Sequence, residues 1–94
     1  DLIAEALGDK KVIILQNHGI LTTGPSVDIA LWFYTSMERC CQAQLMADAA
    51  GETQLIPHDT AIKTRSFIAN DVAAWASFQP AFDMICKKEP DLFD

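Results

Sequence analysis

Basic residues are scarce in this sequence and never massed. Seven Lys and Arg stand against thirteen Asp and Glu, a formal net charge of −6, and they occur singly or in pairs at Lys10-Lys11, Arg39, Lys63, Arg65 and Lys87-Lys88. A surface that tracks phosphates needs clustered cations, so nucleic acid is excluded as a partner. No apolar run approaches the roughly 20 residues of a membrane span, which argues against a membrane role. No signal peptide can be recognised, but the chain opens at Asp1 without a methionine, so that absence carries no weight. Histidine is limited to His18 and His58, with no His-x-His or His-x-x-x-His pair to chelate a metal. Cysteine is limited to three: Cys40 and Cys41 are neighbours, about 100° apart around a helix, and Cys86 is alone. Neither a Cys-x-x-Cys metal site nor a disulfide framework follows from that spacing. An odd number of thiols on helix faces fits a reducing, cytoplasmic setting, with the cysteines expected as small core residues. Ser26, Ser36, Ser66 and Ser77 lack a Gly-x-Ser-x-Gly setting, and Thr22-Thr23-Gly24 lacks the lysine of a phosphate-binding loop. There are no internal repeats and no low-complexity tracts.

What is present is a hydrophobic half: 50% of the 94 residues are apolar, enough to build a core in at most one domain. The pattern gives two strands, near Lys11–Gln16 and Ile20–Thr23, against three or four helical segments. Val12-Ile13-Ile14-Leu15 is apolar on both faces, as in a strand in the middle of a larger covered sheet. Leu2–Leu7 reads as the last turns of a helix stopped by Gly8. Ser26 caps a helix from Val27 to about Ala50, with Asp28 in its first turn and Gly51 as its stop; Ile29 stands where a full capping box needs Glu or Gln. Trp32, Phe33, Tyr34, Met37, Cys40, Cys41, Leu45 and Met46 fill most of its circumference, predicting burial on several sides, as core or subunit contact rather than a cofactor box. Asp59 or Thr60 caps a further helix through Ile62, Ile68 and Val72 towards Trp75. Pro80 is placed in the first turn of a short last helix carrying Phe82, Ile85 and Cys86 and ended by Glu89-Pro90. The tail, Pro90-Asp91-Leu92-Phe93-Asp94, either docks or frays.

The chemistry concentrates in Gln16-Asn17-His18-Gly19, which follows the apolar strand directly. A histidine at a strand end is held by the sheet and reaches beyond its edge, where a metal or substrate can meet it. The plain alternative is a hairpin in which Asn17, His18 and Gly19 are turn residues, and the residues alone leave both readings open. His58, after Pro57 at a helix start, reads as a solvated or capping histidine.

Val12 to Gly24, with Pro25-Ser26-Val27-Asp28 and the long helix after it, resembles the C-terminal part of the class II aldolase/adducin family, closely from about Leu2 to Gly51 and more loosely to Asp94. The resemblance implies an α/β fold: the C-terminal segment of a three-layer α/β/α sandwich, residues 1–94 being part of a single domain whose upstream half is absent. Enzymes of this family use a divalent metal, usually zinc, to stabilise an enolate during aldol cleavage or related epimerisation. The histidine of their Asn-His-Gly segment is a metal ligand and maps onto His18. Their other ligands, a His-x-His segment, and their catalytic glutamate lie upstream, outside this chain. The resemblance therefore implies a segment of a metal-dependent lyase acting on a small hydroxy-carbonyl or sugar-derived substrate, inactive alone, its metal completed by ligands elsewhere. It also implies self-association, with a tetramer expected for the complete domain. A non-catalytic adducin-like scaffold or protein-interaction module is the alternative, and retention of His18 favours the enzyme. A truncated product with neither role is the third possibility.

Overall fold

The computed structural model describes residues 2–94. Helix α1, Leu2–Leu7, ends at Gly8, whose φ of +53° reverses the chain and whose N–H donates to the Ala4 carbonyl at 2.9 Å. Strands β1, Val12–Leu15, and β2, Gly19–Thr22, pair antiparallel, with Ile13 opposite Leu21 and Ile14 opposite Ile20. The loop between them is residues 16–18.

Helix α2 runs Val27–Ala50 with Ser26 as its N-cap, the hydroxyl accepting from the Ile29 N–H at 3.4 Å. The Gly51 N–H closes it on the Ala47 carbonyl at 3.2 Å. The hairpin is tied to its first turns: Thr22 Oγ1 donates to the Ala30 carbonyl at 2.8 Å. Gly24 passes so near the helix that a Cβ there would meet Ile29 Cγ2 at 2.9 Å and the Ala30 nitrogen at 3.0 Å. After an exposed connector, residues 51–57, come α3, His58–Ile68, and α4, Asp71–Lys88, then a 3-10 turn over Pro90–Phe93.

Helices α2 and α4 run antiparallel. Gln79 of α4 donates to Asp28 at the start of α2 at 3.0 Å, while Ile68 and Ala69, just ahead of α4, lie beside Trp32, Phe33 and Ser36. Ile29, Phe33 and Ala74 form the core where they meet, with Val12, Trp32 and Ala69 packed against it.

Five expectations are corrected. The boundary between the last two long helices falls at Ala69-Asn70 rather than before Pro80, because Asn70 caps α4, its side-chain oxygen accepting from the Ala73 N–H at 2.8 Å. Pro80 lies inside α4; it has no N–H to offer the Ala76 carbonyl, and both residues are exposed, where losing that bond costs least. The start of α3 has Pro57 at the N-cap and no side-chain cap from Asp59 or Thr60. Helix α2 is buried on one side of its first half only: Leu45 and Met46 are exposed, and from Gln42 to Ala50 no residue is even half-buried. The cysteines are correspondingly not core residues, Cys40 being exposed and Cys41 and Cys86 half-buried, all with free thiols. Among the described residues the sheet has two strands, and Ile14, on the same strand face as Val12, is 62% exposed.

Candidate metal-ligand site at the hairpin turn

The turn that carries His18 is set by two backbone facts. The His18 N–H donates to the Leu15 carbonyl at 3.1 Å, closing a four-residue turn, and Asn17, third in that turn, has φ +63°. That is the type II pattern, which wants Gly or Asn at this position because other side chains strain there. Asn17 is therefore fixed by backbone geometry, and His18 follows it at the exposed tip of a hydrogen-bonded hairpin. Gly19 then opens β2 with φ +125°, and nothing lies within 4 Å of where a Cβ would be. The imidazole is solvent-accessible and is carried on a short, well-anchored element.

A catalytic divalent ion takes about three protein donors. Among the described residues no group of three or more His, Cys, Asp or Glu side chains gathers, at His18 or elsewhere. His58 is the exposed first residue of α3, and the fold does not assemble it with His18 into a metal site. The donor set here is thus a single imidazole: right in chemistry and exposure for one ligand, short of a complete site. Between Ile14 at the end of β1 and the second half of α2 lies an open groove of about 460 Å³ lined by Ile14, Met37, Cys40, Cys41, Gln44 and Leu45, almost wholly apolar and without a histidine.

The fold also assembles a group that the linear sequence did not show. Lys11 Nζ donates to the Ala69 carbonyl at 2.7 Å and to Asp71 at 3.0 Å, and lies 4.7 Å from the centre of the Phe33 ring. Lys10, Lys11 and Arg65, separate cations in the sequence, border one cleft. The Lys10 ammonium, hydrogen-bonded to Asp9, holds that carboxyl below the usual carboxylate range.

Residues 1–45 match the family described as Class II Aldolase and Adducin N-terminal domain. The structure of L-fuculose 1-phosphate aldolase from Glaciozyma antarctica PI12 superposes on this one with a TM-score of 0.91 at 40% identity, over 95% of this chain and 36% of that chain. The chain belongs to the class II aldolase/adducin family. Curated relatives share the likeness. Decarboxylase NovR of Streptomyces niveus is 39% identical over 90 residues, 96% of this chain and 33% of its own length. Alpha-adducin of Rattus norvegicus is 38% identical over 58 residues, 58% of this chain and 8% of its own. The chain spans about a third of the length of the first curated relatives that it matches. Class II aldolases generally use a divalent metal, and the fold of this segment, hairpin plus four α-helices, is theirs. No helix among the described residues is long and apolar enough to cross a membrane.

Proposed function

We propose that residues 1–94 are the C-terminal part of a class II aldolase-like lyase domain in which His18 supplies one imidazole to a divalent ion, zinc foremost. The remaining ligands and the acid/base group come from chain outside these residues. The substrate class is a small hydroxy-carbonyl or sugar-derived compound, undergoing aldol cleavage or a related epimerisation. The observation that supports this reading is the presentation of His18 at the tip of a hydrogen-bonded turn, solvent-accessible and anchored by both strands. Asn17 holds the left-handed turn that aims residue 18 outward, and Gly19 leaves the space beside it open. When bound, a divalent ion supplies Lewis-acid polarisation of the substrate carbonyl, favouring the enolate charge that C–C cleavage leaves behind. The relatives are named for different reactions, a decarboxylase, an oxygenase and an aldolase, and the lyase reading follows the aldolase.

A scaffold role like that of adducin is the second reading, favoured by the match to alpha-adducin and by the apolar surface left open. Metal analysis of the complete protein separates the two. His18→Ala is expected to lower metal content and lyase activity together with little change in fold, while His58→Ala leaves metal content unchanged. Stoichiometric metal retained in the His18→Ala variant would make His18 a turn residue only. Absence of metal from the unaltered protein would favour the scaffold.

A further inference from the structure

The cations of this acidic chain are unevenly placed. Lys10 and Lys11 at the start of β1 and Arg65 in the last turn of α3 meet at a cleft of about 300 Å³ floored by Val12, Phe33 and Ala69. A second cleft of about 330 Å³ adjoins it across Lys11, Arg65 and Ala69 and adds Ile62. Together they offer a charged rim over an apolar floor, at the size of a small-molecule site.

Every other polar group there is already engaged. Asp9 is paired with Lys10, and Asp71 with Lys11 at 3.0 Å. Ser66 Oγ donates to the Lys63 carbonyl at 2.7 Å, and the Asn70 amide donates to the Ser66 and Phe67 carbonyls while its oxygen caps α4. Arg65 differs: its charge bears on the Asp9 carboxyl, but among the described residues its guanidinium makes neither a hydrogen bond nor an ion pair, so its planar fork of N–H donors is available to a ligand. Three cations against two carboxylates leave one positive charge unmatched, in a molecule of net charge −6.

We infer that this cleft is a binding site for a small amphiphilic organic acid, its oxyanion on Arg65 with Lys10 beside it and its apolar body against Val12, Ile62 and Ala69. The guanidinium fork matches a carboxylate or phosphate bidentately. The floor selects acids that carry apolar carbon over bare inorganic anions. The site is separate from His18: the two lie at opposite ends of β1, a four-residue strand of roughly 13 Å at about 3.3 Å per residue. It takes a second ligand rather than the substrate, at the joint between α3 and α4.

The test titrates benzoate and inorganic phosphate into the complete protein at constant ionic strength, read by calorimetry and by amide NMR shifts around Arg65 and Ile62. Benzoate is expected to bind saturably in the millimolar range, more tightly than phosphate. Arg65→Gln is expected to weaken benzoate roughly tenfold or more, the loss of a charge-assisted pair, and Arg65→Lys to weaken it less. An unchanged unfolding midpoint and metal content in Arg65→Gln keep this result independent of His18. No saturable benzoate binding, or equal binding by Arg65→Gln, overturns the site; tighter binding of phosphate overturns the assignment to an amphiphilic acid.

Discussion

The Lys11 ammonium touches three parts of the molecule at once: the end of α3 through the Ala69 carbonyl, the start of α4 through Asp71, and the core through the Phe33 ring. Its ion pair is about half exposed on each side and contributes little. The charged hydrogen bond to a part-buried carbonyl and the cation–π contact carry the effect. Lys11→Met is therefore expected to cost about 1–2 kcal/mol in urea unfolding of the complete protein, and an unshifted midpoint would remove the clasp. None of this was legible in sequence, because the polar partners lie 58 and 60 residues away. The turn was legible, since Asn17 and Gly19 announce themselves by type. Asn17→Gly should be nearly neutral, whereas Asn17→Val should cost about 1–3 kcal/mol for forcing a β-branched residue to positive φ. Gly24→Ala pushes a methyl against the α2 backbone at 3.0 Å, which cannot give as a flexible side chain would. A cost of about 1–3 kcal/mol is expected there, read as a lowered unfolding midpoint.

Among the elements, those with chemical punctuation at both ends matched expectation. Ser26 and Gly51 bound α2, β1 lies within the run Lys11–Gln16, and β2 begins and ends one residue ahead of the run Ile20–Thr23. The α3–α4 joint did not, because two signals competed. Ile62, Ile68 and Val72 looked like one continuing face, and Pro80 looked like the break. Asn70-Asp71, an N-cap followed by an acid in the first turn, was the true marker. Asn70→Ala should cost about 1 kcal/mol and speed amide exchange at Ala73, which loses its acceptor. Pro80→Ala, by contrast, should raise the melting temperature, since a helix interior without proline regains the bond to Ala76; a fall would show that Pro80 serves packing instead. On the reading proposed above, only His18 of the candidate site falls within these 94 residues, so the rest was not there to be read.

At the scale of the whole molecule, three of the described residues are buried as a core while Leu45, Leu55, Phe67, Val72 and Phe93 are among the large apolar side chains left open. The radius of gyration is 15.8 Å, against roughly 12 Å for a compact domain of this length. Such a surface has too little interior to balance the entropy of ordering the chain. The isolated 94-residue polypeptide is thus expected to self-associate in light scattering; a compact, cooperatively unfolding monomer at micromolar concentration would contradict this. One further consequence belongs to the connector 51–57, an exposed stretch free of helix and strand between α2 and α3. It is where a protease should nick first. Because α4 packs on α2 through Ile29, Phe33 and Ala74 and is latched by Lys11 and by Gln79, the nick cuts the backbone without cutting these contacts. The two pieces of a nicked domain should therefore travel together through gel filtration and part only in denaturant. The same stretch is then the natural place to open new termini for a circular permutant or to split the protein for fragment complementation.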